Sequence, residues 1–169
     1  LAHLQQHKQV TGYGLEIDPA RVAACIENGV NVIQGDLDKG LKEFQTQSFD
    51  MLVLNQALQM VDRPDHLLDE MLRVGREVIV TFPNFGYWRN RLAVLRGHMP
   101  LTRALPEQWY DTPNIHLCTV HDFEQLCQYK GISIINRSMI NHAKRVKLGM
   151  RLSPNLLGEV ALYHLTRKN

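Results

Sequence analysis

Two acidic residues, each closing a short apolar run and spaced one strand-turn-helix apart, constrain this chain more than any other feature. Glu16 closes the run Val10-Thr-Gly-Tyr-Gly-Leu-Glu-Ile, and Asp36 closes Val30-Asn-Val-Ile-Gln-Gly-Asp. In an open α/β sheet, ligands bind outside the carboxyl ends of the strands. A carboxylate there can accept both hydroxyls of a ribose. A second carboxylate, one strand along, can reach the exocyclic amine of an adenine. The run Ser48-Phe-Asp-Met-Leu-Val-Leu-Asn55 continues the series. The pattern predicts a nucleoside-binding α/β domain whose sequence starts just past the place where a glycine-rich loop is expected.

The rest of the chain alternates in the same way. Leu1 to Lys8 reads as the end of a helix and Gln9 to Ile17 as a strand. Asp18 and Pro19 cap and open a helix with Val22, Ala23, Cys25 and Ile26 on its apolar face, stopped by Asn28-Gly29. A short buried strand spans Val30 to Gly35, and Leu37 to Gln47 is a connector. Phe49 to Leu54 is almost continuously apolar, which predicts a central parallel strand covered on both faces. Asp62 is expected to cap a helix with the stripe Leu67, Leu68, Met71 and Leu72. The strand Glu77 to Phe82 ends at Pro83, and a helix is expected over Tyr87 to Arg96. Thr119 opens a helix with Phe123, Leu126 and Cys127 inward, and strands at Ile132 to Ile140 and Gly158 to Leu165 complete the series. Such alternation implies a mostly parallel sheet between helices. The two late strands, joined by a loop at Asn141 to Asn155, form an antiparallel edge hairpin. The strands ending at Ile17, Gly35, Asn55 and Phe82 are expected as parallel neighbours of one doubly wound sheet, with a gap or a substitute between the first and third.

Composition narrows the function. The chain has 169 residues, 44% hydrophobic and 21% charged, enough for the core of a single domain. Its 19 basic and 17 acidic residues leave a formal charge of +2, too balanced to mark a nucleic-acid or membrane surface. No apolar run approaches the roughly 18 residues of a membrane span. The opening Leu1 to Lys8 has no signal-peptide pattern and no Met, so it is not read as the native start. Cys25, Cys118 and Cys127 lack paired spacing and are read as reduced thiols of a cytoplasmic protein. Cys118-Thr-Val-His121 has no second ligand pair beside it, so no metal site is expected.

The strings Gly14-Leu-Glu-Ile-Asp-Pro, Gln34-Gly-Asp, Ser48-Phe-Asp and Val78-Ile-Val-Thr-Phe-Pro-Asn resemble class I S-adenosylmethionine-dependent methyltransferases. More narrowly, residues 29–38, 70–76 and 82–89, and above all Trp109-Tyr-Asp-Thr-Pro-Asn-Ile-His-Leu-Cys-Thr, are similar to the MetW family of methionine biosynthesis proteins. The resemblance implies a Rossmann-like methyltransferase sheet and a single methyltransferase-like domain over 1–169. It also implies a first strand and a glycine-rich loop that are missing here, the strand lying between those ending at Glu16 and Asn55. S-adenosylmethionine or S-adenosylhomocysteine is the implied cofactor, needing that loop for full affinity. Homoserine O-acyltransferase is the implied partner, supported in methionine synthesis. The alternative is an active methyltransferase on an unidentified small acceptor.

Each candidate residue has a plain structural reading beside its functional one. Glu16, with Ile17, is a ribose ligand or a helix-dipole partner for the Pro19 helix. Asp36 meets the adenine edge or is a turn cap, and Leu37 beside it packs on the purine. Asn55 lies where the reactive methyl would sit, or caps a helix. Asn84, Tyr87 and Trp88 fall at the carboxyl end of the next strand, near a substrate pocket or in an aromatic-packed turn. Trp109, Tyr110, Asp111 and His116 line a substrate lid or a docking surface, or anchor a long loop; a buried, satisfied His116 is expected over a base. The cluster Lys144-Arg-Val-Lys147 is read as a solvated loop. No residue announces a general base, and methyl transfer from a sulfonium, driven by proximity and alignment, needs none.

Overall fold

The computed structural model describes residues 1–141 and 153–168. The expected loop at 141–155, with the Lys144–Lys147 cluster, lies largely outside the described residues. The chain forms two compact units, Leu1–Gly40 and Leu41–Asn169.

The first unit holds α1 (Ala2–Lys8), β1 (Gly14–Glu16), α2 (Pro19–Glu27) and β2 (Val32–Gln34), then one 3-10 turn at Leu37–Lys39. β1 and β2 are parallel, with Leu15 opposite Ile33 and Glu16 opposite Gln34. The crossover helix starts as the sequence predicts: Asp18 Oδ1 accepts from Ala20 N at 2.9 Å, and Pro19 needs no amide partner. Gly29, at φ 68°, takes the left-handed turn that brings the chain back into β2. Both strands are shorter than their apolar runs, because pairing covers only three residues of each.

In the second unit, β3 (Phe49–Asn55), β4 (Gly75–Pro83), β5 (Ile132–Ile140) and β6 (Val160–Arg167) lie in the order β3-β4-β6-β5. β3 and β4 are parallel; β4 and β6, and β6 and β5, are antiparallel. The late strands thus extend the far edge as an antiparallel hairpin, as expected. The four earlier strands are not one continuous ladder. They divide into the pairs β1–β2 and β3–β4, in separate sheets.

β3 corrects one expectation. It is an edge strand rather than a central one, and its outer side chains Met51 and Val53 are 44% and 57% exposed. A continuous apolar run records side-chain character and carries no information on how many neighbours the backbone has.

The opposite face carries the core. Val78, Val80 and Phe82 of β4 and Ala161, Tyr163 and Leu165 of β6 are fully buried, under helices α3 (Pro64–Val74) and α5 (Val120–Tyr129). Leu67, Leu68, Met71 and Leu72 form the buried stripe of α3, and Val120, Phe123 and Cys127 that of α5. The rings of Phe82, Phe123 and Tyr163 pack with centroids 4.7 to 5.9 Å apart. Burial, and then the bond to Glu124, push the Tyr163 phenol upward; its hydroxyl donates to Glu124 Oε1 at 2.8 Å, and Arg137 closes the group on the same carboxylate.

Helix α5 carries a reciprocal cap, Thr119 Oγ1 accepting from Asp122 N and Asp122 Oδ2 from Thr119 N. Helix α3 does not use its expected cap. Pro64 takes the first helical position, so the cap position falls on Arg63, which makes no side-chain cap bond, and Asp62 stands one residue too early. The connector is held by Arg73, whose guanidinium donates to Leu41 O and Phe44 O at 2.9 Å while gripping Glu70. That guanidinium holds the Glu70 carboxyl below the usual carboxylate range. Two further helices, α4 (Trp88–Leu95) and α6 (Pro154–Leu157), follow β4 and precede β6.

Candidate functional site

In the first unit the two acids lie at the same end of adjacent parallel strands, with Gly35 N donating to Glu16 O at 3.0 Å. Glu16 Oε1 accepts from Ile17 N at 3.0 Å and Asp18 N at 3.1 Å, so half the carboxylate closes the turn into α2. Among the described residues its Oε2 meets Arg21 alone, at 4.0 Å, and the side chain is 26% exposed. One oxygen is therefore committed to the fold and one is open. Asp36 repeats the arrangement. Its Oδ1 accepts from Asp38 N at 3.0 Å as the cap of the 3-10 turn, and its Oδ2 has no hydrogen-bond partner among the described residues. Ile17 is exposed and Leu37 half-buried beside them.

In the second unit Asn55 closes β3 opposite Thr81 of β4. The Thr81 hydroxyl donates to Asn55 Oδ1 at 2.8 Å and accepts from Gln56 N at 2.9 Å. Gln56, at φ 50°, turns the chain away from the sheet. Gln59, buried in the next turn, accepts from Ile115 N and His116 N on its carbonyl at 2.8 and 3.0 Å. The aromatic segment is thereby tied to the loop beyond β3. Neither Thr81 nor Gln59 was among the candidates; the signal was there, a lone polar residue inside Val-Ile-Val-Thr-Phe and a glutamine between Leu58 and Met60.

Asn84 is fully buried. Its Nδ2 donates to Asn155 O and Gly158 O at 2.9 and 2.8 Å, and its Oδ1 accepts from Gly86 N and Val120 N at 3.0 and 3.1 Å. Every donor and acceptor of the amide is used, so Asn84 offers neither pocket nor partner surface: it joins β4, α5 and the α6–β6 turn. Tyr87 is also buried, its ring against Trp88, which is 41% exposed. Trp109 and Tyr110 form a second ring pair, 5.6 Å apart and edge-on, 70% and 71% exposed. Asp111 follows them, exposed.

His116 is exposed rather than buried, because the backbone bonds to Gln59 hold its segment at the surface; its Nε2 donates to Asp62 O at 3.1 Å. The cavity beside Trp109 measures only about 40 Å³. A larger one, about 300 Å³, is lined by Leu72, Lys130, Ile132 and Arg167, at the opposite, amino end of β4. Burial, and to a lesser degree Asp122, push the Cys118 thiol up to about 12, leaving it protonated and unreactive. Among the described residues no group of three or more His, Cys, Asp or Glu side chains is placed to hold a metal.

A parallel βαβ unit with acids at its strand ends, and a second sheet finished by an antiparallel hairpin, define a Rossmann-like class I methyltransferase fold. The chain aligns over 98% of its length with a SAM-dependent methyltransferase from Archaeoglobus fulgidus, covering 80% of that chain at a TM-score of 0.64 and 13% identity. One from Mesorhizobium loti gives 0.63 at 18%, over 92% of this chain and 80% of that one. The [4+2]-cyclase SpnF gives 0.65 at 14%, over 98% and 70%. Within that fold, residues 1–165 match the family described as methionine biosynthesis protein MetW, and the chain belongs to it. It is 32% identical over 158 residues, 92% of its length, to the bifunctional methionine biosynthesis protein MetXA/MetW of Rhodopirellula baltica, and spans 25% of that relative's length.

Proposed function

We propose that residues 1–169 act as one S-adenosylmethionine-binding, methyltransferase-like domain that supports homoserine O-acyltransferase in methionine synthesis. The observation that carries the reading is the relative in which a MetW region shares a single chain with MetXA. Fusion holds two modules at high effective concentration, which favours function in contact.

The cofactor would lie at the strand ends. Among the described residues Glu16 Oε2 and Asp36 Oδ2 accept no hydrogen bond, which fits a ribose diol and an adenine amine. The same carboxylates hold their turns through their other oxygens, so their orientation is fixed before a ligand arrives. Ile17 and Leu37 would flank the base, with the glycine-rich loop of the family supplying the remaining contacts; Asn55, in the second unit, is a separate candidate. When bound, the cofactor supplies an electrophilic methyl group. The fold does not by itself dictate methyl transfer, since SpnF shares it and is named a cyclase.

Calorimetry on the natural full-length protein tests the site. S-adenosylhomocysteine should bind, and Glu16→Ala should weaken it by roughly tenfold to a hundredfold, the loss of about 1.5–3 kcal/mol of charge-assisted hydrogen bonding. Equal affinity would remove Glu16 from the site. Pull-down and rate measurement with purified homoserine O-acyltransferase test the role. Methyl transfer to a small acceptor without effect on the acyltransferase would replace it by the catalytic alternative.

A further inference from the structure

Helix α4 is built inside out. A surface helix ordinarily turns its apolar stripe inward and its polar face to water. Here Asn90 is the buried residue, 3% exposed, its Nδ2 donating to Asn84 O. Trp88, Leu92 and Leu95 recur at i, i+4 and i+7, one stripe of the helix, and are 41%, 37% and 83% exposed. At about 100° per residue, Arg91 falls on one flank of that stripe and Arg89 and Arg96 on the other. Arg89 lies over the Trp88 ring, 5.4 Å from its centroid.

The charge around the stripe has one sign. Between Glu77 and Glu107 the sequence has no acidic residue but contains Arg89, Arg91, Arg96 and Arg103. The balanced +2 of the whole chain conceals this segment. An apolar centre of tryptophan and leucine with an arginine rim has the composition of a protein interface core. Complementarity requires the opposing surface to be apolar at its centre and acidic at its rim. A nucleic-acid face would place arginines at the centre to meet phosphates. A membrane-surface helix sets a Lys- or Arg-rich polar face opposite its apolar one, whereas here the side opposite the stripe is buried at Asn90 and the arginines flank the stripe.

We infer that the outward face of α4 docks on an acidic-rimmed apolar patch of the acyltransferase; this rests on the reading that the domain works bound to that enzyme. The test uses the full-length protein and purified homoserine O-acyltransferase from the same organism, with surface plasmon resonance at low and high salt. Two double variants are compared with the wild type, Leu92→Ala with Leu95→Ala and Arg89→Glu with Arg96→Glu. Each should weaken binding by about tenfold or more. Wild-type affinity should fall with salt, Arg89→Lys with Arg96→Lys should bind within about threefold of wild type, and melting temperature and S-adenosylhomocysteine affinity should not move. If the wild type binds and both double variants bind equally, this inference falls and the proposed function stands. If the wild type does not bind at all, both fall. Self-association in the wild type that the variants lose would make the face a homodimer contact. Capture by phosphatidylglycerol vesicles, lost in the variants, would make it a membrane contact. Either result overturns the acyltransferase assignment.

Discussion

Asn84 shows how much structure a single amide can hold. It satisfies two carbonyls and two amides from three separate parts of the chain while fully buried. Asn84→Ala strands those groups without water, each costing about 1–3 kcal/mol, so the loss should reach about 3 kcal/mol or more in urea denaturation. Asn84→Asp should be no better, since an acceptor then faces two carbonyls. The thiols of Cys118 and Cys127, both pushed up to about 12 chiefly by burial, give a second expectation. Their folded values lie above the ordinary value of 9.0. Their contribution to stability is therefore full below pH 9 and is lost as pH rises from 9 toward 12, at up to about 1.4 kcal/mol per pH unit for each thiol. Denaturation midpoints at pH 7 and pH 10 should show the fall, and Cys127→Ala should reduce it.

At the scale of elements, the segment from Phe82 to Thr119 is expected to carry what is particular to this chain, a proposal that two substitutions test. If Trp109 and Tyr110 are docking anchors, Trp109→Ala with Tyr110→Ala should abolish copurification and stimulation of the acyltransferase. Each anchor is worth about 2 kcal/mol or more, and S-adenosylhomocysteine binding should survive. If they form a substrate lid, the double variant should keep the partner and lose methyl transfer. Retention of both properties, by a normally folded variant, makes the segment structural. Elements were legible wherever local chemistry decides: the Asp18-Pro19 opening, the Thr119 cap, the stripe of α3. They were illegible where pairing decides. The run Phe49 to Leu54 reads the same whether its backbone has one neighbour or two. Asn84, chosen because it follows a strand, turned out to be spent on the fold. The orientation of α4 was hidden because Trp88, Leu92 and Leu95 look like any inward stripe until Asn90 is seen beneath them.

At the scale of the molecule, the larger unit places β6 between β4 and β5, although it follows both in sequence. β6 supplies buried Ala161, Tyr163 and Leu165 and bonds to both neighbours. Deleting residues 160–167 should therefore leave this unit without a fixed core rather than merely trimmed, read as loss of a cooperative melting transition. The same order matters while the protein is being made. β4 can join β3 as soon as both emerge, but its other edge must wait for a partner at least 77 residues downstream, Val160 opposite Pro83. At about 5–20 residues per second that is roughly 4–15 s of synthesis. Throughout that interval an apolar strand stands open beside the ribosome, which makes the nascent chain a natural client for a chaperone that shields it until β6 arrives.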